Sequence, residues 1–151
     1  MPPESSKFKK DYNEFIQQLE LCNVFQDKLK AELDRNAFRK VMSSEELAPI
    51  DYSVAEDYAW RNYNDNLFEF KTIFTINAKN PLDKRQTLFE FETGLVALYR
   101  SNREINDELA KYFVTNVKLN VWPYLREQVH DISKRFNMPD LVIPPFKVGC
   151  E

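Results

Sequence analysis

The segment Leu67 to Asn77, LFEFKTIFTIN, constrains the fold more than any other part of the chain. Phe68, Phe70, Phe74 and Ile76 fall on one side of an extended strand, with Thr72 among them. Glu69, Lys71 and Thr75 fall on the other, the alternation that a half-buried strand requires. Asn80-Pro81 supplies a turn, and a second long β run follows from Gln86 to Tyr99, so the two predict an antiparallel hairpin. Gly94 interrupts the second run, where a bulge or a close backbone approach is expected.

Upstream the pattern is weaker. Ile50, Tyr52 and Val54 alternate with Asp51 and Ser53 as a short strand, followed by a polar loop through Asn66. Arg35 to Pro49 reads as a crossover loop or short turn. In Phe15 to Leu33, Phe15, Leu19, Cys22, Leu29 and Leu33 fall near helical spacing, whereas Leu19 and Leu21 alternate like a strand; periodicity alone favours helix. Residues 1–14, with Pro2, Pro3, Ser5, Ser6 and several lysines, are expected to be a flexible lead-in to a single domain over 15–148.

Beyond Tyr99 the period changes. Ile105, Leu109, Phe113 and Val117 repeat every four residues behind a capping Asn106 and the acidic Asp107 and Glu108, predicting a short helix. Val121, Leu125, Val129, Ile132 and Phe136 form the stripe of a second helix, with Asn120 as its cap and Pro123 in its first turn. Met138-Pro139 ends that helix, and Leu141 to Val148, with Pro144-Pro145, is extended. Strands followed by helices define an α+β domain with the helices on one sheet face.

The chemistry is sparse. Only two glycines, Gly94 and Gly149, leave no phosphate-cradling loop. One histidine, His130, supports neither a two-histidine metal site nor a zinc cluster, and Cys22 and Cys150 have no ligand-like spacing. No metal, cofactor or catalytic constellation is therefore expected, the thinnest candidate being Glu90 and Glu92 on one strand face with His130 elsewhere. A net charge of -3 disfavours nucleic acid and anionic membrane, and no apolar run is long enough to span a bilayer. Twelve phenylalanines, seven tyrosines and two tryptophans are instead a surplus of contact area for a core, an interface or a groove.

Val121-Trp122-Pro123-Tyr124-Leu125-Arg126-Glu127, with Met138-Pro139 and Pro144-Pro145-Phe146 after it, resembles the helix signature of the SecB family of export chaperones. Leu88 to Val96, LFEFETGLV, resembles that family's fourth-strand segment ending in glycine. The resemblance implies a four-stranded antiparallel sheet with two or more helices on one face, and it makes Phe15 to about Gln26 the first strand. It implies a homotetramer, a dimer of dimers, in the bacterial cytoplasm that holds unfolded polypeptides in hydrophobic grooves without ATP. Client-binding positions carried over are Val41, Leu47, Ile50, Tyr52, Val54, Leu141, Ile143 and Phe146. Trp122, Tyr124, Arg126 and Glu127 are then scaffold or subunit-interface residues.

Family members dock on the translocation motor SecA through an acidic sheet face. Leu88 and Glu90 match half of that surface, while Asn23 and Gln26 replace its first-strand acidic residues and the chain stops at Glu151, leaving the surface incomplete. Trp before Pro-Tyr and the short end resemble the branch of SecB-like chaperones serving toxin-antitoxin systems, whose client is the antitoxin's C-terminal extension. Clients are thus secretory precursors or an antitoxin. The alternative is a non-catalytic adaptor binding a folded partner through its sheet.

Overall fold

The alternating segment is the central part of a 14-residue strand in the computed structural model. The structure describes residues 6–44, 50–63, 66–138, 143, 144 and 146. Along the chain the elements are α1 (Ser6–Gln17), β1 (Glu20–Leu33), α2 (Arg35–Ser43), β2 (Tyr52–Asn62), β3 (Leu67–Asn80), β4 (Asp83–Arg100) and α3 (Asp107–Arg135). The strands form one antiparallel sheet in the order β1-β4-β3-β2. None of the helices among the described residues is long and apolar enough to cross a membrane.

Phe68, Phe70, Thr72, Phe74 and Ile76 are all buried, and the same face continues to Ala78 and Asn80. Tyr99, Ala97, Leu95, Thr93, Phe91 and Phe89 of β4 stand opposite them on the same side. The hairpin turns where expected, with the Leu82 amide donating to the Asn80 side-chain oxygen at 2.9 Å, a local bond that asparagine is suited to make. Gly94 faces a register shift between Gln26 and Lys28 of β1. A Cβ there would collide with the Asp27 carboxylate and come within 3.2 Å of the Lys28 Cβ, so the close approach expected at this glycine is real, and the bulge lies on its partner strand.

β1 is a strand, as the family resemblance implies, although it starts at Glu20, and the helical periodicity fails there. Two register shifts, at Cys22 and Asp27, each reset which side a residue faces, so the apolar residues lose their period of two. The lead-in boundary at residue 14 is also corrected. Ser6–Gln17 is helical, with Phe15 buried and Phe8, Tyr12 and Ile16 packed against the core. Arg103 of the loop before α3 makes a bidentate pair with Asp11 that ties α1 down, at 2.9 and 2.8 Å.

Two further expectations give way. Part of the predicted crossover loop is the helix α2, capped by the Asp34 side chain, which accepts from the Ala37 amide at 3.0 Å. The loop predicted up to Asn66 is mostly strand, because β2 continues as Tyr58 and Trp60 on the face of Tyr52 and Val54. The two predicted C-terminal helices are one 29-residue helix with Pro123 in its interior. Asn106 caps it as expected, accepting from the Leu109 amide at 2.9 Å, but Asn120 is no cap: its amide donates to the Tyr99 hydroxyl at 2.8 Å.

Leu109, Phe113, Val117, Val121, Leu125, Val129 and Ile132 of α3 are buried on the sheet. Phe113 is the hub, its ring 5.7 Å from Phe15, 5.4 Å from Phe70 and 4.9 Å from Tyr99. The helix ends at Asn137 in the left-handed conformation, φ 54°. The Met138 amide there reaches back to the Ser133 carbonyl, 2.9 Å, and the Asn137 amide to Lys134, 3.0 Å. That pair of bonds satisfies the last carbonyls and turns the chain back.

Candidate peptide-binding groove

The face that carries the core is unevenly covered. α1 and α3 lie over it, and at its β2 margin Tyr52, Val54, Glu56, Tyr58 and Trp60 present a row of partly buried or exposed side chains on the helix side. Ile143, Pro144 and Phe146 pack on α3 beside this row, and the strip between β2 and α3 that they border is the candidate groove. Its floor is Phe74, whose ring meets Trp122 of α3 edge-on at 5.8 Å. Trp122 in turn lies 5.7 Å from the Phe146 ring. The Lys118 ammonium sits over both, 5.4 Å from Trp122 and 4.7 Å from Phe146. It also pairs with Glu56 of β2, which bridges the groove from wall to wall.

The polar groups are few and directional. The Trp122 indole N–H donates to the Pro144 carbonyl at 2.7 Å, and Arg126 Nε donates to the Ile143 carbonyl at 3.0 Å. Tyr58 donates to Glu56, and its phenol is pushed up by partial burial and by that carboxylate. Donors aimed at main-chain carbonyls do not themselves distinguish one side chain from another.

The predicted client-binding residues divide accordingly. Ile143 is buried in the core, Phe146 lines the groove, and Tyr52 and Val54 pack from β2. Ile50 bridges the main core and a small cluster under α2, and Val41 is buried in that cluster. Val41 is therefore a packing residue. Leu47 and Leu141 lie outside the described residues.

Of the predicted docking pair, Leu88 is fully buried beneath Ala37 and Val41. Nothing can dock on it while α2 is in place, which corrects its assignment. Glu90 stays partly exposed on the opposite, uncovered sheet face, accepting from Asn77 at 3.5 Å. Nearby, Lys28 pairs with Glu92 at 2.7 Å and holds its carboxyl below the usual carboxylate range.

The helix signature also changes role. Trp122 and Arg126, expected as scaffold or subunit-interface residues, hold the chain's own C-terminal residues. The cation over the Trp122 ring is Lys118, one turn before it. Tyr124 and Glu127 do face outward. Sequence reasoning missed Glu56, Tyr58, Lys118 and Phe74 as groove residues. The missed signal was the continued alternation Tyr52, Val54, Glu56, Tyr58, Trp60, which a single charged residue interrupts. Among the described residues no cluster of histidine, cysteine and carboxylates is arranged to hold a metal ion.

A four-stranded antiparallel sheet with one long helix and a short one packed on its face, and a third at its end, is the SecB-like fold. The chain matches the solved structure of the Mycobacterium tuberculosis Rv1957 SecB-like chaperone in complex with a ChAD peptide from the Rv1956 HigA1 antitoxin. The TM-score is 0.74 at 16% identity, over 89% of this chain and 94% of that one. A protein of unknown function from Streptococcus agalactiae matches at a TM-score of 0.46 and 9% identity, over 83% of this chain and 96% of that one. No family model and no curated protein matches the sequence.

Proposed function

We propose that the chain is an ATP-independent chaperone that holds unfolded or aggregation-prone polypeptide in the groove between β2 and α3. The observation that carries this reading is the way Trp122 and Arg126 hold the main-chain carbonyls of Pro144 and Ile143 beside an aromatic cluster. An unfolded client offers the same groups: free carbonyls and apolar side chains.

The proposed client is the exposed C-terminal extension of an antitoxin, with secretory precursors as the broader class. The similar mycobacterial chaperone carries an antitoxin peptide in its solved structure, which supports the specialised client. Burial of Leu88 argues the same way, because it takes away one of the two positions that match the motor-docking surface and leaves only Glu90 accessible.

Assembly as a dimer of dimers in the bacterial cytoplasm belongs to the same proposal. β1 is an edge strand with Leu21, Phe25 and Leu29 exposed, and α3 exposes Tyr112, Leu119 and Tyr124. These apolar side chains suit contact with further copies. Several grooves on one tetramer would add avidity for a long client.

The test is suppression of aggregation of a chemically denatured protein on dilution, without nucleotide. Light scattering unchanged at several-fold excess of the protein would rule the chaperone out. Identification of chains co-purified from the source cell then separates one antitoxin from many precursors.

A further inference from the structure

We propose that Ile143, Pro144 and Phe146 are an internal occupant of the groove, and that the groove selects clients resembling them: a segment with a branched aliphatic residue and an aromatic three positions later. The proposal rests on the chaperone reading and adds both a recognition pattern and a built-in competitor to it.

Three observations carry it. Among the described residues, the polar contacts to the segment are made to its main-chain carbonyls, from Arg126 to Ile143 and from Trp122 to Pro144, groups that any other chain also offers. The side chains, by contrast, are read at two places: Ile143 is buried among core residues, and the Phe146 ring packs against Trp122 with the Lys118 ammonium over both rings. Pro144 has no amide hydrogen and a fixed φ, so it restricts the backbone without needing a donor satisfied.

The anchoring is also asymmetric. Ile143 is almost fully enclosed, whereas Pro144 is exposed and Phe146 only partly covered. A competitor can therefore displace the aromatic end first, with the aliphatic end released afterwards. A site that is filled internally for part of the time binds its ligand with a Kd divided by the open fraction, and so more weakly than the open site.

The test uses the full chain and a fluorescein-labelled peptide with the sequence of residues 141–148, Leu-Val-Ile-Pro-Pro-Phe-Lys-Val, followed by anisotropy. Phe146→Ala is expected to bind this peptide about tenfold more tightly than the unaltered chain, since the competitor has lost its ring. Adding Arg126→Ala or Arg126→Lys is expected to reverse that gain, because neither keeps the guanidinium Nε–H. A peptide with its phenylalanine replaced by alanine is expected to bind about tenfold more weakly. Equal affinity of the unaltered chain and Phe146→Ala, or a gain that survives loss of Arg126, overturns the internal occupant. Aggregation assays on the same samples keep the two levels apart. Suppression that persists while Phe146→Ala leaves peptide affinity unchanged sinks the occupant alone, and absent suppression sinks the chaperone reading beneath it.

Discussion

Raising the pH should unfold this protein partly through one phenol, Tyr99. Its ring is buried between Phe68, at 5.3 Å, and Phe113, at 4.9 Å. Burial pushes the hydroxyl up to about 12, partly opposed by the Asn120 amide that donates to it. In the unfolded chain a tyrosine titrates near 10. Between those two values the folded state keeps a proton that the unfolded state has lost. The stabilisation from the neutral phenol is therefore complete below about pH 10 and disappears as pH rises through about 12. A gap of about two units corresponds to about 2.7 kcal/mol in the limit, and to about 1.4 kcal/mol already lost at pH 11.

Tyr99→Phe removes the titration but leaves the Asn120 amide without its acceptor, a cost of about 1 kcal/mol at neutral pH. The variant should thus be the less stable protein at about pH 8 and the more stable one at about pH 12, with the two curves crossing near pH 11. Urea titrations at a series of alkaline pH values measure this, and other tyrosines and lysines cancel in the difference. Parallel curves with no crossing would refute the argument, because they would mean that the phenol is not held neutral by the fold.

Phe113→Ala removes the ring shared by α1, α3 and the sheet, and should cost about 3 to 5 kcal/mol in denaturant unfolding. A loss under about 1 kcal/mol would mean that α3 is not seated there. Thr72 is fully buried in the middle of β3 with its hydroxyl lacking a hydrogen-bond partner, so Thr72→Val, of the same shape, should raise stability by about 1 kcal/mol. Unchanged or lower stability would show that the hydroxyl is satisfied by water. The Asp11 carboxyl is held below the usual carboxylate range, first by its hydrogen bond to Arg103. A depressed folded value means that the pair helps α1 above the unfolded carboxylate's pKa and ceases to help as pH falls through the folded one. The protection of α1 amides, exchange rate compared with the intrinsic rate at each pH, should therefore fall on acidification more in the unaltered chain than in Asp11→Asn.

The parts of the fold that were legible in the sequence are those where one face is fully buried. β3 lies in the middle of the sheet, so its alternation survives intact from Leu67 to Asn80, and β4 beside it is buried along most of its length. The edge strands are different. β1 has an exposed burial pattern and two register shifts, and a spacing of four, as from Leu21 through Phe25 and Leu29 to Leu33, suits a helix as well as a strand. β2 was cut short because Glu56 interrupts its apolar row, and only the structure shows that Lys118 neutralises it from α3. For the site, Phe146 and Ile143 were legible through family resemblance. The identity of what they contact was not, since the partners lie 17 and 22 residues back along the chain for the two hydrogen bonds alone.

The segment from Val121 to Glu127 shows why a helix can carry a proline in its interior and keep it. Val121 and Leu125 face the sheet, Trp122 and Arg126 face the C-terminal residues one flank away, and Tyr124 and Glu127 face out. Three surfaces are thus assigned within two turns, and a break at Asn120 would uncouple them: the register that seats Val117 would no longer fix where Trp122 points. A continuous helix keeps that register at the expense of the hydrogen bond that the Leu119 carbonyl loses to Pro123. Pro123 is on the exposed side, so water can reach that carbonyl, and a helix wrapping a core is convex on its solvent side, where a proline is accommodated with least conflict. The sequence rule that places proline in a first turn fails here because packing along 29 residues outweighs one missing bond. The same continuity transmits the position of the sheet to the two donors that grip the C-terminal carbonyls, so the groove is set by the core and not by a loop.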